Sequence, residues 1–265
     1  MRHWFGIYGL NFSREIQLET VRLLPAHADA SEAEQLARSK ERFNLTGIGS
    51  ITASDHVAGQ QEHEKLFDLE AVLTFVEQQW VALSRPLPER EGESPREARS
   101  RFPDEFPIVA ERPTSGALVL SDSYEKGMKR DLFALCLSRL SDSQFCARTG
   151  LRRAFFRHVE TWRLHTHVID LTYYLNFTAL ETLGRYWKDD FDAPVAGILD
   201  EFLRSLGFDV FQEAPSDPKR SMQDYAHLRH ALFHSSGMKK TLKGSRAGEV
   251  LEITDYADAL DRLVP

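Results

Sequence analysis

Residues 166–187 constrain the fold of this chain more than any other segment. Val168, Leu171, Leu175, Ala179, Leu183 and Tyr186 recur there at three- and four-residue intervals, the period of an amphipathic helix of about six turns. Such a helix takes most of its stability from packing its apolar stripe, so it requires partners. The neighbouring sequence supplies them. Residues 127–140 carry Leu132, Phe133, Leu135, Cys136 and Leu140 on one broad face, and 151–164 carry Phe155, Phe156, Val159 and Trp162. Pro194 opens a helix containing Val195, Ile198, Leu199, Phe202, Leu203 and Leu206, and Gly207 ends it. Residues 221–233 repeat the pattern with Met222, Tyr225, Leu228, Leu232 and Phe233. Helices of this length with short connections predict an antiparallel bundle over 121–265. Residues 250–253 read as a short strand, and Thr254 or Asp255 caps a last helix.

The first 85 residues read differently. Residues 4–12 and 16–24 alternate as strands do, and 45–53, rich in Ile, Thr and Gly, reads as another strand. Ser31 caps a short helix. Residues 66–83 are strongly apolar and fit either a strand feeding a helix or one continuous helix. Pro86, Pro88, Pro95, Pro103, Pro107 and Pro113 then punctuate a stretch rich in Glu and Arg, which reads over 86–120 as a linker or extended segment. The expected fold class is α+β: a mixed α/β domain over 1–85, the linker, and an all-α helical bundle over 121–265.

Several classes of protein are excluded at this level. No apolar run approaches the roughly 20 residues that span a bilayer. The start, Met1-Arg2-His3-Trp4-Phe5-Gly6, lacks a secretory pattern, so a cytoplasmic protein without a membrane partner is expected. Cys136 and Cys146 make neither a disulfide framework nor a zinc site, and read as buried thiols. The net charge of −7 argues against indiscriminate coating of nucleic acid. Its distribution says more. Residues 219–246 hold seven basic side chains against Asp224 alone, a local +6 and the electrostatic footprint of a phosphate-binding face.

Within that segment, Arg229-His230-Ala231-Leu232-Phe233-His234 puts a fixed cation and an imidazole five positions apart, before a helix stop at Ser235-Ser236-Gly237. Cleaving RNA without a metal needs a base for the ribose 2′-hydroxyl, an acid for the departing 5′-oxygen and a cation for the developing charge. Arginine grips phosphate bidentately, and histidine moves protons near neutral pH. His234 can act as base or acid. At a helix end, terminal carbonyls favour an imidazolium by about 0.3–1 kcal/mol, which suits an acid. His230, one turn earlier, assists or orients the site. Five helical residues rotate by about 140°, so Arg229 and His234 do not share a face and one subunit leaves the site incomplete. The same spacing occurs at Arg22–His27, which Pro25 interrupts, and at Arg153–His158, which lies mid-helix without a stop.

The R-x4-H spacing with a polar residue after the arginine resembles the HEPN superfamily, and Leu228-Arg229-His230-Ala231-Leu232-Phe233-His234-Ser235 looks most like its Apea-like branch. The upstream helix, Tyr174-Leu175-Asn176-Phe177-Thr178-Ala179-Leu180-Glu181-Thr182-Leu183, resembles the alanine-leucine-glutamate helix of that branch. The resemblance covers roughly residues 125–265. It implies a HEPN-like bundle, a homodimer with the motifs meeting at the interface, and metal-independent endoribonuclease activity without a cofactor. Catalytic roles fall to Arg229, His234 and His230, the last at a position where the family favours a polar residue, often asparagine. Lys239, Lys240, Asn176 and Glu181 are the expected substrate-binding residues, Asn176 and Glu181 also being able to support Arg229. The biological role implied is an antiphage or toxin-like effector, its N-terminal domain sensing or regulating through a ligand or partner. Two alternatives stay open: a non-catalytic HEPN module that binds nucleic acid or nucleotide, and an interaction protein whose bundle only dimerises. A metal site built from His227, His230 and His234 with His165 and His167 lacks carboxylates or cysteines to complete it, and no metal is expected.

Overall fold

The computed structural model describes residues 2–10, 12–27, 29, 31, 32, 35, 44–52, 60–106, 127–163, 168–208, 221–257, 259 and 260. It is an α+β protein, with eight helices and an antiparallel sheet among these residues. The chain divides into two compact units, Met1–Ser141 and Asp142–Pro265.

The first unit is built on a six-stranded antiparallel sheet. Its strands are β1 (Arg2–Tyr8), β2 (Ile16–Gln17), β3 (Val21–Pro25), β4 (Leu45–Thr52), β5 (Ala82–Leu83) and β6 (Leu87–Pro88). The order is β2-β3-β4-β1-β5, and β6 also pairs with β1. Alternation sends β1 side chains to both faces, each of them covered. On one face Phe5 lies over Gly49, its cross-strand partner on β4. A Cβ at Gly49 would meet the Phe5 ring at 2.1 Å, so this ring-over-backbone packing needs glycine. On the other, Trp4 and Tyr8 form a core with Leu45, Ile48, Ala98 and Phe102.

Residues 87–106 complete that second core instead of leaving the domain as a linker. A short helix α2 (Pro95–Arg99) starts from a Ser94–Glu97 capping box. The Tyr8 hydroxyl donates to the Pro103 carbonyl at 3.0 Å, and burial followed by the Asp104 charge pushes its pKa up to about 12. Of the prolines that look like linker punctuation, Pro88 pairs with β1, Pro95 starts a helix and Pro103 accepts the bond from Tyr8. Residues 107–120 lie outside the described residues.

The apolar stretch 66–83 resolves into a helix followed by a strand. Helix α1 (Gln60–Glu77) buries Leu66, Leu69, Val72, Leu73 and Val76, and β5 follows after a turn. Helix α3 (Met128–Ser141), expected to open the bundle, packs on α1 in the first unit, where Lys129 meets Glu77 in a buried ion pair at 2.5 Å. Periodicity shows that 127–140 is helical but not which core it faces.

The second unit holds α4 (Ser143–Thr149), α5 (Leu151–Arg163), α6 (Ile169–Lys188), α7 (Val195–Ser205) and α8 (Met222–Ser235). It is not all-α: β7 (Lys239–Thr241) and β8 (Val250–Glu252) form an antiparallel hairpin, followed by a 3-10 turn over Ile253–Asp255. One core joins Tyr173, Phe177 and Leu180 of α6 to Leu199 and Leu203 of α7, Tyr225 and Leu228 of α8, and Leu251 of β8. The buried Tyr173 hydroxyl donates to the Tyr225 carbonyl at 2.8 Å, tying α6 to α8.

The long helix α6 departs from its expected stripe. Its fully buried positions are Tyr173, Asn176, Phe177, Ala179 and Leu180, whereas Val168 and Leu171 are exposed and Leu175, Leu183 and Tyr186 half-buried. The helix has apolar residues on two sides. Its aromatic side faces α7 and α8, and the aliphatic stripe begins in the open.

Candidate functional site

Helix α8 carries the motif, and its ends are well determined. Ser221 and Asp224 form a capping box at its start. At its end Ser236, not glycine, takes the left-handed conformation, with φ 49°. The Ser236 and Gly237 amides bond back to the carbonyls of Leu232 and Ala231, at 3.0 and 3.3 Å. The stop expected at Ser235-Ser236-Gly237 is therefore present, and His234 sits in the last turn.

Arg229 is half-buried and held. Its Nη2 lies 3.4 Å from Glu181 Oε2 on α6, and its guanidinium sits over the Phe233 ring at 5.5 Å. Glu181 shares its other oxygen with Arg185 at 3.0 Å. It is thus a counter-ion for two arginines, as the expected pairing with Arg229 requires, and its negative charge does not suit contact with phosphate. The Arg229 Nε is buried without a hydrogen-bond partner among the described residues.

His230 and His234 are exposed, with ring centroids 4.2 Å apart and planes at 44°. The pKa of His230 is lowered, first by desolvation and then by His234, Lys240, Arg229 and His227, so its neutral form is favoured. Arg229, His227 and His230 line a cleft of about 760 Å³ with Lys240 and Lys243; His234 is not among the lining residues. His230 joins the two ends of the motif, because it faces the cleft and touches His234. Spacing alone makes Arg229 and His234 the prominent pair and cannot show this.

The other expected contacts divide. Lys240 lines the cleft. Lys239, its neighbour on β7, points to the other side of the hairpin ladder, where Glu252 pairs with it at 2.5 Å. Asn176 is fully buried, and its Oδ1 is 2.9 Å from His158 Nδ1 on α5, so it is a structural hydrogen bond and not a substrate contact. That bond also accounts for the second R-x4-H copy: His158 is buried between Asn176 and Trp162. Arg22, in the first copy, pairs with Glu15 on the sheet edge. Lys243 and Arg246 were legible only as members of the basic segment. Arg246 bonds the buried Asp224 at 2.8 Å and also pairs with Glu249. The local +6 is therefore partly neutralised: Arg229, Lys239 and Arg246 have carboxylate partners.

Cys136 and Cys146 are half-buried, and burial raises the pKa of the Cys136 thiol. Among the described residues no group of three His, Cys, Asp or Glu is placed to hold a metal, and no helix is long and apolar enough to cross a membrane. His165 and His167 lie outside them.

Fold and site together define an α+β protein whose second unit opens a basic, histidine-bearing cleft between the start of α7, helix α8 and the segment that follows β7. No family model, curated protein or solved structure matches the chain.

Proposed function

We propose that the chain is a metal-independent endoribonuclease of the HEPN type, its site completed by a second copy. The observation that carries this reading is the placement of Arg229 and an exposed His230 on one cleft, with His234 exposed at the adjoining end of the same helix. In the reaction a neutral His230 takes the proton of a ribose 2′-hydroxyl. The freed oxygen attacks the adjacent phosphorus, and a protonated His234 delivers its proton to the departing 5′-oxygen. A cyclic 2′,3′-phosphate and a 5′-hydroxyl result. Arg229 offsets the charge that builds on the phosphate oxygens.

Two histidines that work on opposite oxygens of one phosphate must each come within about 3 Å of their own oxygen, with the phosphate between them. Rings in contact with each other leave no such space. Base and acid therefore come from different copies, arranged about a twofold axis. An exposed apolar patch next to the motif supports such pairing. Phe233, the most exposed large apolar side chain described, stacks on Tyr174 at 6.2 Å, one turn from the exposed Leu171 and near Val168 on α6. The bundle character of α5–α8 and the antiphage or toxin-like role with a regulatory first unit are part of the same proposal and rest on the resemblance.

Cleavage of labelled RNA in EDTA tests it. Wild-type protein is expected to cut, and His234→Ala to lose about 10²–10⁴-fold in rate. Activity that survives the substitution removes the assigned mechanism. RNA that binds but is never cut leaves a nucleic-acid-binding module, a reading that the position of His234 outside the cleft favours.

A further inference from the structure

Beside polar side chains such as Ser221, Gln223 and Thr241, the cleft is lined by apolar and by cationic groups. Pro194 and Val195, at the start of α7, are apolar, while Lys240 and Lys243 are cationic. Among the described residues neither lysine has a carboxylate within ion-pair distance, in contrast to Lys239, Arg229 and Arg246. Two unpaired ammonium groups on one cleft repel each other and hold an anion favourably. Arg229, held by Glu181, also lines the cleft and adds a fixed positive charge. The volume, about 760 Å³, is that of a small-molecule site. An inorganic anion would satisfy the lysines but leave the apolar lining and most of the space unused. A flat, weakly polar ring system joined to a phosphate uses both.

We propose that the cleft binds one nucleoside monophosphate unit, with the phosphate on Lys240, Lys243 and Arg229 and the base against Pro194 and Val195. The unit is either a free nucleotide or one residue of a single RNA strand. In the second form the inference rests on the ribonuclease reading and places the bound nucleotide beside the phosphate that His230 attends.

Calorimetric titration of the full chain tests this without relying on cleavage. The probes are adenosine 5′-monophosphate, inorganic phosphate and a short 2′-O-methyl oligoribonucleotide, which lacks the attacking hydroxyl. The nucleotide is expected to bind at least about tenfold more tightly than phosphate, and Lys240→Gln/Lys243→Gln to weaken it at least about tenfold, as loss of charge-assisted hydrogen bonds implies. Lys243→Gln alone, at an exposed loop position, gives a smaller loss and guards against misfolding of the double variant. An oligonucleotide that displaces the nucleotide assigns the cleft to an RNA strand; one that does not assigns it to a free nucleotide. No nucleotide binding, equal affinity for phosphate, or affinity unchanged in both lysine variants overturns the inference. Lysine-dependent nucleotide binding in a protein that cuts no RNA keeps it and removes the ribonuclease reading; RNA cutting without nucleotide binding does the reverse.

Discussion

His230 lies among groups that all disfavour its charged form. Desolvation acts first, and His234, Lys240, Arg229 and His227 add repulsion. A histidine with a lowered pKa stays neutral to more acid pH, so the base of the reaction remains competent below the ordinary value of about 6.5 and is lost only as pH falls further. The acid limb of kcat/KM against pH is accordingly expected below that value. Lys240→Gln removes one of the repelling charges and is expected to move the limb upward; a limb that stays in place means that Lys240 does not act on His230. At this scale the sequence shows which residue types are available and misleads about their placing. Arg229 and His234 stand out by spacing, yet side-chain direction along α8 makes His230 the link between cleft and helix end. Asn176 has the right chemistry for a substrate contact but turns inward to His158, because a short polar side chain on a helix can satisfy a neighbouring helix as well as solvent.

Helices α4 and α5 meet at Gly150, whose φ of 67° is left-handed. A Cβ there would also lie 2.6 Å from the Tyr186 ring on α6. Gly150→Ala is expected to destabilise the second unit by about 2–4 kcal/mol, from the left-handed backbone cost and overpacking together. An unchanged midpoint in urea unfolding would contradict this. Elements were legible in the sequence where periodicity was strong and both ends carried signals, as for α7 between Pro194 and Gly207 and for α8 between Ser221 and Ser236. Among short elements the strand β8 was legible but α4 was not, because seven residues span only two turns. The stripe on α6 differs from its expected one because Tyr173, Asn176 and Phe177 join Ala179 and Leu180 in its buried set, while Val168, Leu171, Leu175 and Leu183, which dominate a periodicity count, lie wholly or partly in the open. Lys239 and Lys240 were seen as cations but not as a strand, and only the ladder with β8 sends them to opposite sides.

Two cores, one on a sheet and one among helices, explain why the chain reads as α+β from sequence. The boundary between them was not legible. Residues 87–106 return to cover β1, and α3 packs on α1, so the first unit runs to Ser141 although its composition changes long before. Which core a helix joins depends on contacts distant in sequence, and no local pattern encodes them. Net charge behaves similarly. A chain of −7 gathers basic residues in one segment, and pairing with Glu181, Asp224, Glu249 and Glu252 leaves the lysines of the cleft as its unpaired members among the described residues. The exposed patch around Phe233 beside an incomplete set of catalytic groups makes a second copy the central requirement of the mechanism. Co-expression of Arg229→Ala with His234→Ala tests that requirement most directly. Each variant alone is expected to be inactive on RNA. Mixed dimers, which bring one arginine and one histidine to a shared cleft, are expected to recover a substantial fraction of wild-type cleavage. Mixed dimers that stay at the level of the single variants would mean that each copy works alone, and would contradict the shared site.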